Sequence, residues 1–113
     1  RSLGNLEIER DWGHAKDYVE GMWLMLQQEK PNDYVLATGE THSLKDFLSL
    51  AFEYFELDYR DFVSINKRFV RPNEPQRLCG DPSKAKTILG WSTTYSFSEI
   101  IQEMCLSAKA GII

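Results

Sequence analysis

Arg71 and Glu74 stand three residues apart in Arg71-Pro-Asn-Glu74-Pro, and the two prolines limit what the stretch can be. Pro72 and Pro75 forbid a helix and push the residue before each of them, Arg71 and Glu74, into extended geometry. An extended arm of this kind presents a guanidinium and, three residues on, a carboxylate. The guanidinium can donate parallel hydrogen bonds to a phosphate, and the carboxylate can accept them from a sugar diol. The plainer reading is a surface ion pair between the two, worth about 0–1 kcal/mol. The residue types fit both readings, and the elements around them have to decide.

The arm runs into Gly80-Asp81-Pro-Ser-Lys-Ala-Lys-Thr-Ile-Leu-Gly90, which reads as a short helix with both ends written in. Asp81 is the N-cap, Pro82 fills the first helical position where no N–H is needed, and Gly90 supplies a left-handed stop. Ala85, Ile88 and Leu89 would form its apolar face. Upstream, Gly4-Asn5 signals a hairpin turn with a strand-like run after it. Ala15 to Gln28 is a helix on Ala15, Tyr18, Val19, Met22, Trp23, Met25 and Leu26. Tyr34-Val-Leu-Ala37, a short apolar run between breakers, reads as a buried parallel strand. A helix feeding such a strand is half of a βαβ layer, so the fold class expected is α/β.

Ser43 caps the next helix, with Asp46 completing a capping box and a stripe of Leu44, Phe47, Leu48, Ala51, Phe52 and Phe55. The large apolar residues of these two helices are expected in the core. Val63-Ser-Ile65 and Arg68-Phe-Val70 are candidate short strands. The last helix starts at Ser96, with Glu99 as its box partner, and reaches about Ala110 on Phe97, Ile100, Ile101, Met104 and Ala108.

The 113 residues are one domain at most, 42% hydrophobic and 27% charged, an ordinary globular composition. A net charge of −4 argues against nucleic acid and anionic membrane as partners, so an anion must be held by a local cluster of arginines. Two cysteines, Cys79 and Cys105, are too few for a disulfide framework and read as free thiols, with cytoplasm the expected compartment. No apolar run reaches membrane-spanning length and no signal peptide is seen. His14 and His42 lack partners at zinc-ligand spacing, and each is placed between a strand and a helix, which predicts a structural hydrogen-bonding role. Glycines 4, 13, 21, 39, 80, 90 and 111 are dispersed, so no phosphate-cradling loop exists. No nucleophile elbow or acid–base pair stands out. The start at Arg1 without methionine, and a first strand of two or three residues, read as a C-terminal piece of something larger. Such a piece is expected to be marginally stable or to self-associate.

Arg10-Asp-Trp-Gly-His14-Ala-Lys-Asp17-Tyr-Val resembles the Arg-Asp-aromatic-x-His-x-x-Asp segment of extended short-chain dehydrogenases/reductases. With Leu3-Gly-Asn-Leu6, Met22-Trp-Leu-Met-Leu-Gln27, Ala37-Thr-Gly-Glu-Thr-His-Ser43, Arg71-Pro-x-Glu74 and Gly80-Asp-Pro-Ser-Lys-Ala-Lys86 followed by Leu89-Gly-Trp91, it resembles, in order, the C-terminal third of GDP-mannose 4,6-dehydratases. The likeness is weakest over residues 56–68.

That resemblance implies an α/β fold comprising the end of a Rossmann sheet and a small mixed substrate-binding domain. Residues 1–42 would carry the hairpin, helix and last Rossmann-type strand, and residues 43–113 the substrate-binding subdomain. It implies that Arg10 and Arg71 grip the diphosphate of a GDP-sugar from two sides and that Glu74 accepts hydrogen bonds from its ribose. Asp11 and His14 match family positions with structure as their expected role, and capping accounts for Asp81. The family oxidises C4 of GDP-mannose with bound NADP, eliminates water across C5–C6 and returns hydride to C6, a logic in which the C4 ketone acidifies the C5 proton. The Gly-rich NADP fingerprint, the Tyr-x-x-x-Lys pair and the dehydrating Thr and Glu are absent from this sequence. It is therefore expected to be inert as an enzyme alone, with NADP held by a missing N-terminal domain and a homo-oligomeric parent. Two alternatives stay open: the C-terminal part of another nucleotide-sugar epimerase or reductase, and a non-catalytic interaction domain.

Overall fold

Residue 9 to residue 10 is the middle of everything that follows in space. The computed structural model describes residues 1–111. In it β2 (Glu9–Arg10) is flanked by β3 (His42–Ser43), antiparallel, and by β5 (Arg77–Leu78), parallel, so that Arg10 faces His42 on one side and Leu78 on the other. A second, separate pair joins β1 (Ser2–Leu3) to β4 (Ser64–Ile65) in parallel, with Ser2 opposite Ser64. The hairpin expected at Gly4-Asn5 is therefore not formed. Gly4 is instead the place where another backbone comes close: a methyl group there would collide with the Phe69 carbonyl. Asn5 makes its own local turn, accepting from the Glu7 N–H at 2.9 Å.

Three helices complete the fold: α1 (Ala15–Leu26), which packs on the turn at 85–89, α2 (Leu44–Tyr54), which packs on β3, and α3 (Phe97–Lys109), which packs on α2. Both expected capping boxes are present. Asp46 N–H donates to Ser43 Oγ at 3.0 Å and Glu99 N–H to Ser96 Oγ at 3.2 Å, with each acid reaching back to the cap N–H. On α3, Ile100, Ile101 and Cys105 are buried, and the Cys105 thiol lies 3.8 Å from the Ala51 carbonyl of α2. Met104 is turned outward.

Several local readings change. Tyr34 to Ala37 forms no strand, and no neighbour pairs with it in a sheet among the described residues. Val63-Ser-Ile65 contributes the strand β4, whereas Lys67–Phe69 is a 3-10 turn capped by Asn66. The helix after Asp81 begins as expected, with Asp81 accepting from the Ser83 N–H at 3.0 Å, but widens to a π turn over Ala85–Leu89. Gly90 ends it at φ 67°, its N–H bonded to the Ala85 carbonyl. The wider turn stacks Leu89 over Ala85 and swings Ile88 into solvent.

Ala85, Leu89 and Trp91 form the buried core, with Tyr18, Leu24, Met25, Tyr34 and Leu36 packed on it. The face α1 turns inward is thus Asp17, Tyr18, Gly21, Leu24 and Met25, not the whole expected stripe. Val19, Met22, Trp23 and Leu26 are exposed. No helix of the described residues is long and apolar enough to cross a membrane.

Candidate functional site

The strand β2 holds the chain after Arg71 in place, residue by residue. Glu9 N–H donates to the Gln76 carbonyl at 2.8 Å, and the Gln76 side-chain amide donates to the Glu7 carbonyl at 2.9 Å. Parallel pairing of β5 continues the attachment. This zipper delivers Pro75 and Glu74 to the Arg10 side chain. Arg10 Nη1 donates to the Glu9 carbonyl at 2.7 Å and the Pro75 carbonyl at 3.0 Å, and Nη2 donates to Glu74 Oε1 at 3.0 Å. The two side chains are 24% and 20% exposed, so this is a half-buried, charge-assisted pair and not an open surface contact.

Counting donors shows what the pair can still do. A guanidinium carries five N–H groups. Two on Nη1 and one on Nη2 are engaged, leaving Nε–H and one Nη2–H without a partner among the described residues. Glu74 likewise keeps Oε2. The site thus offers two donors from a fixed cation beside one acceptor from a fixed anion. That combination suits a phosphate linked to a hydroxylated group.

Arg71 stands apart. It is exposed and makes no hydrogen bond or ion pair among the described residues. The stretch is also not extended throughout: Pro72 and Asn73 form a turn, with Asn73 at φ 59° in the left-handed region that asparagine tolerates. Proline restricts the residue before it, which leaves Asn73 unconstrained. So the structure brings Arg10 and Glu74 together and leaves Arg71 beyond a bend, and Glu74 takes as its ion-pair partner the distant arginine, not the one three residues away.

Residues beside the site explain its footing. Asp11 accepts from the Thr38 N–H at 3.0 Å and hydroxyl at 2.7 Å through Oδ1, and from the Gly39 N–H at 3.0 Å through Oδ2. Burial pushes its carboxyl pKa up, but the hydrogen bonds from Thr38, Gly39 and Gly80 outweigh it and hold the group below the ordinary carboxylate value. His14 caps α1: Nδ1 accepts from the Lys16 N–H at 3.0 Å, Nε2 meets Glu103 at 2.9 Å, and the ring stacks on Tyr95. His42 stacks on Phe97 while its carbonyl accepts from the Trp12 indole at 3.1 Å. The His14 ring thus makes the hydrogen bonds its position predicted, whereas the His42 ring stacks and makes none among the described residues.

Sequence reasoning matched Asp17 to the last position of the Arg-Asp-aromatic-x-His-x-x-Asp segment but gave it no role. Its side chain is buried, accepting from Thr94 N–H and hydroxyl and from Tyr95 N–H at 2.7–3.2 Å, while its carbonyl accepts from the Trp91 indole at 2.7 Å. An acid in a first helical turn normally reads as a partner for the helix dipole. Besides that match, the available hint was its place on the same face as Gly21, one turn on, since both are buried.

Comparison with known proteins fits this arrangement. A family profile described as GDP-mannose 4,6 dehydratase matches residues 1–104. The chain is 54% identical over 102 residues to GDP-mannose 4,6 dehydratase 1 of Arabidopsis thaliana, covering 90% of this chain and 28% of that protein. To human GDP-mannose 4,6 dehydratase it is 41% identical over 120 residues, covering 91% and 32%. The chain thus spans less than a third of either relative's length. Among solved structures, RMD from Pseudomonas aeruginosa complexed with NADPH superposes with a TM-score of 0.86 at 13% identity, over 97% of this chain and 36% of that one. UDP-glucose 4-epimerase of Thermotoga maritima with UDP-glucose gives 0.84 at 20%, over 98% and 35%. At these identities the structures establish a shared mixed α/β fold.

Proposed function

The chain belongs to the GDP-mannose 4,6-dehydratase family, and on that premise we propose that it grips the nucleotide sugar for a lyase converting GDP-mannose to GDP-4-keto-6-deoxymannose with loss of water. Arg10 and Arg71 hold the diphosphate, and Glu74 accepts from the ribose hydroxyls. The observation that carries this reading is the Arg10–Glu74 pair, fixed by backbone carbonyls with donors and an acceptor to spare. Arg71 is the second guanidinium because it is exposed just beyond the bend that leads to Glu74. Residues 1–42 close the dinucleotide-binding layer and 43–113 form the substrate-binding part.

The same reading gives the whole enzyme NADP as cofactor, a homo-oligomeric assembly and a cytoplasmic setting. The residues of this chain do not fit a dinucleotide: the glycines are dispersed, and no strand of the described residues leads through a Gly-rich turn into a helix. None of them is given a part in holding the cofactor.

Calorimetric titration of the chain with GDP-mannose, GDP and UDP-glucose tests the reading. Binding selective for the guanine nucleotides is expected, weakened roughly tenfold to a hundredfold by Arg71→Ala through lost charge-assisted hydrogen bonds. UDP-glucose bound as tightly as GDP-mannose overturns the guanine preference. An Arg71→Ala variant with unchanged affinity removes Arg71 from the site.

A further inference from the structure

Two residues of pairing leave a strand register weakly specified, and β2 and β5 share two residues alone. Register matters here, because a slip of β5 by one residue would carry Glu74 and Pro75 about 3.3 Å along Arg10. A side-chain relay beside the pairing resists that slip. Glu9 and Arg77 are register partners, and the Thr41 hydroxyl lies between their side chains. Arg77 Nε donates to Thr41 Oγ1 at 3.1 Å, and that hydroxyl donates to Glu9 Oε1 at 2.9 Å. A guanidinium can only donate and a carboxylate only accept, so the single hydroxyl proton has one place to go. Both bonds are charge-assisted. A slip of one residue would break them and set Arg77 opposite Arg10, where like charges disfavour pairing.

Glu9 is also the residue on which Arg10 rests. Its carbonyl accepts from Arg10 Nη1 at 2.7 Å, and its N–H donates to the Gln76 carbonyl, two residues after Glu74. Thr41 makes no hydrogen bond to Arg10 or Glu74 among the described residues; its partners are Glu9 and Arg77.

We propose that Thr41 is a positioning residue for the ligand site: its hydroxyl locks the register of β2 against β5 and so sets where Arg10 and Glu74 stand. The consequence for binding rests on the reading that those two side chains face a nucleotide sugar, whereas the lock itself does not. Thr41→Val removes the hydroxyl at nearly constant shape, and Thr41→Ser keeps the hydroxyl and removes only a methyl group. The contrast between them separates the relay from packing.

The experiment compares the full chain with its T41V, T41S and Arg77→Met variants. Each is titrated calorimetrically with GDP, and hydrogen exchange of the Arg10 guanidinium and of the Trp91 backbone N–H is followed by NMR without ligand. In T41V the Arg10 protons are expected to exchange about tenfold faster, and GDP to bind about tenfold more weakly, with Trp91 unchanged. T41S should stay within about twofold of the wild type in both. Arg77→Met cuts the exposed end of the relay and should quicken Arg10 in the same direction. Unchanged Arg10 exchange in T41V overturns the lock, and so does T41S behaving like T41V. Exchange quickened by one common factor at Arg10 and Trp91, in both T41V and Arg77→Met, is general unfolding and overturns it too. GDP bound equally by wild type and T41V overturns the positioning role. Quickened exchange at Arg10 alone, with no GDP bound by the wild type, supports the lock and overturns the reading under Proposed function.

Discussion

Arg10 does not hold its place through its own strand alone, because the residue after it fastens β2 to two other segments. The Asp11 carboxylate accepts from the N–H groups of Thr38 and Gly39 and from the Thr38 hydroxyl, and the Cys79 thiol lies 3.9 Å from its Oδ2. A carboxyl whose pKa falls on folding stabilises the folded state above its unfolded value of about 3.9, and that contribution is lost as pH falls through the lower folded value. Asp11→Asn keeps the shape, loses the charge and turns an amide N–H toward groups that are themselves donors. It should cost about 1–3 kcal/mol at neutral pH. The gap to wild type should close as the medium is acidified below about pH 4. Urea unfolding at pH 7 and pH 3 checks this, and an equal gap at both values would assign the loss to packing. The sequence marks Arg71 and Glu74 by type, and an arginine for Glu74 was within reach three residues away. The actual partner lies 64 positions distant, and only the parallel pairing of β2 with β5 brings it there.

At the scale of elements, what could be read from the chain was whatever is encoded within a few residues. The starts of α2 and α3 are legible because both hydrogen bonds of each capping box lie between residues three apart. The left-handed stop at Gly90 is legible for the same reason. Strands of two residues carry no periodicity to read, so the hairpin expected at Gly4-Asn5 gave way to long-range pairing of β1 with β4. The tie between α1 and the segment 91–96 was equally hidden, since it rests on one acid in a helix read as amphipathic. Asp17 satisfies three donors there, and its carbonyl receives the indole of the buried Trp91. Asp17→Ala leaves the Thr94 and Tyr95 N–H groups and the Thr94 hydroxyl without that acceptor, and should destabilise by roughly 3 kcal/mol or more. Asp17→Asn, with one acceptor oxygen in place of two, should recover part of it. Denaturant midpoints of the three proteins measure the order; an alanine variant as stable as wild type would mean that the tie is incidental.

The molecule as a whole is a thin slab with extents of 53 × 38 × 18 Å and a radius of gyration of 16.8 Å, against about 13 Å for a compact domain of this length. A thickness of 18 Å holds little more than one layer of helices on one layer of strands, so an element can be covered on one face only. The helical period of α1 was read correctly, but period does not say which part of a stripe is covered. Val19, Met22, Trp23 and Leu26 are 62%, 55%, 59% and 82% exposed, on the side of α1 away from the Asp17 tie. Contiguous apolar surface of this kind drives association in water. We therefore expect the chain to self-associate: its sedimentation coefficient should rise with concentration, and its melting temperature with it, because association draws on the folded form. Charges placed on that face, Trp23→Glu together with Leu26→Glu, should return a monomer. The Asp17 tie lies on the opposite face, so the double variant should keep the helical circular dichroism of the parent. A cooperative melt of a monomer at every concentration in the unaltered chain would show instead that the small core around Trp91 stabilises the slab unaided.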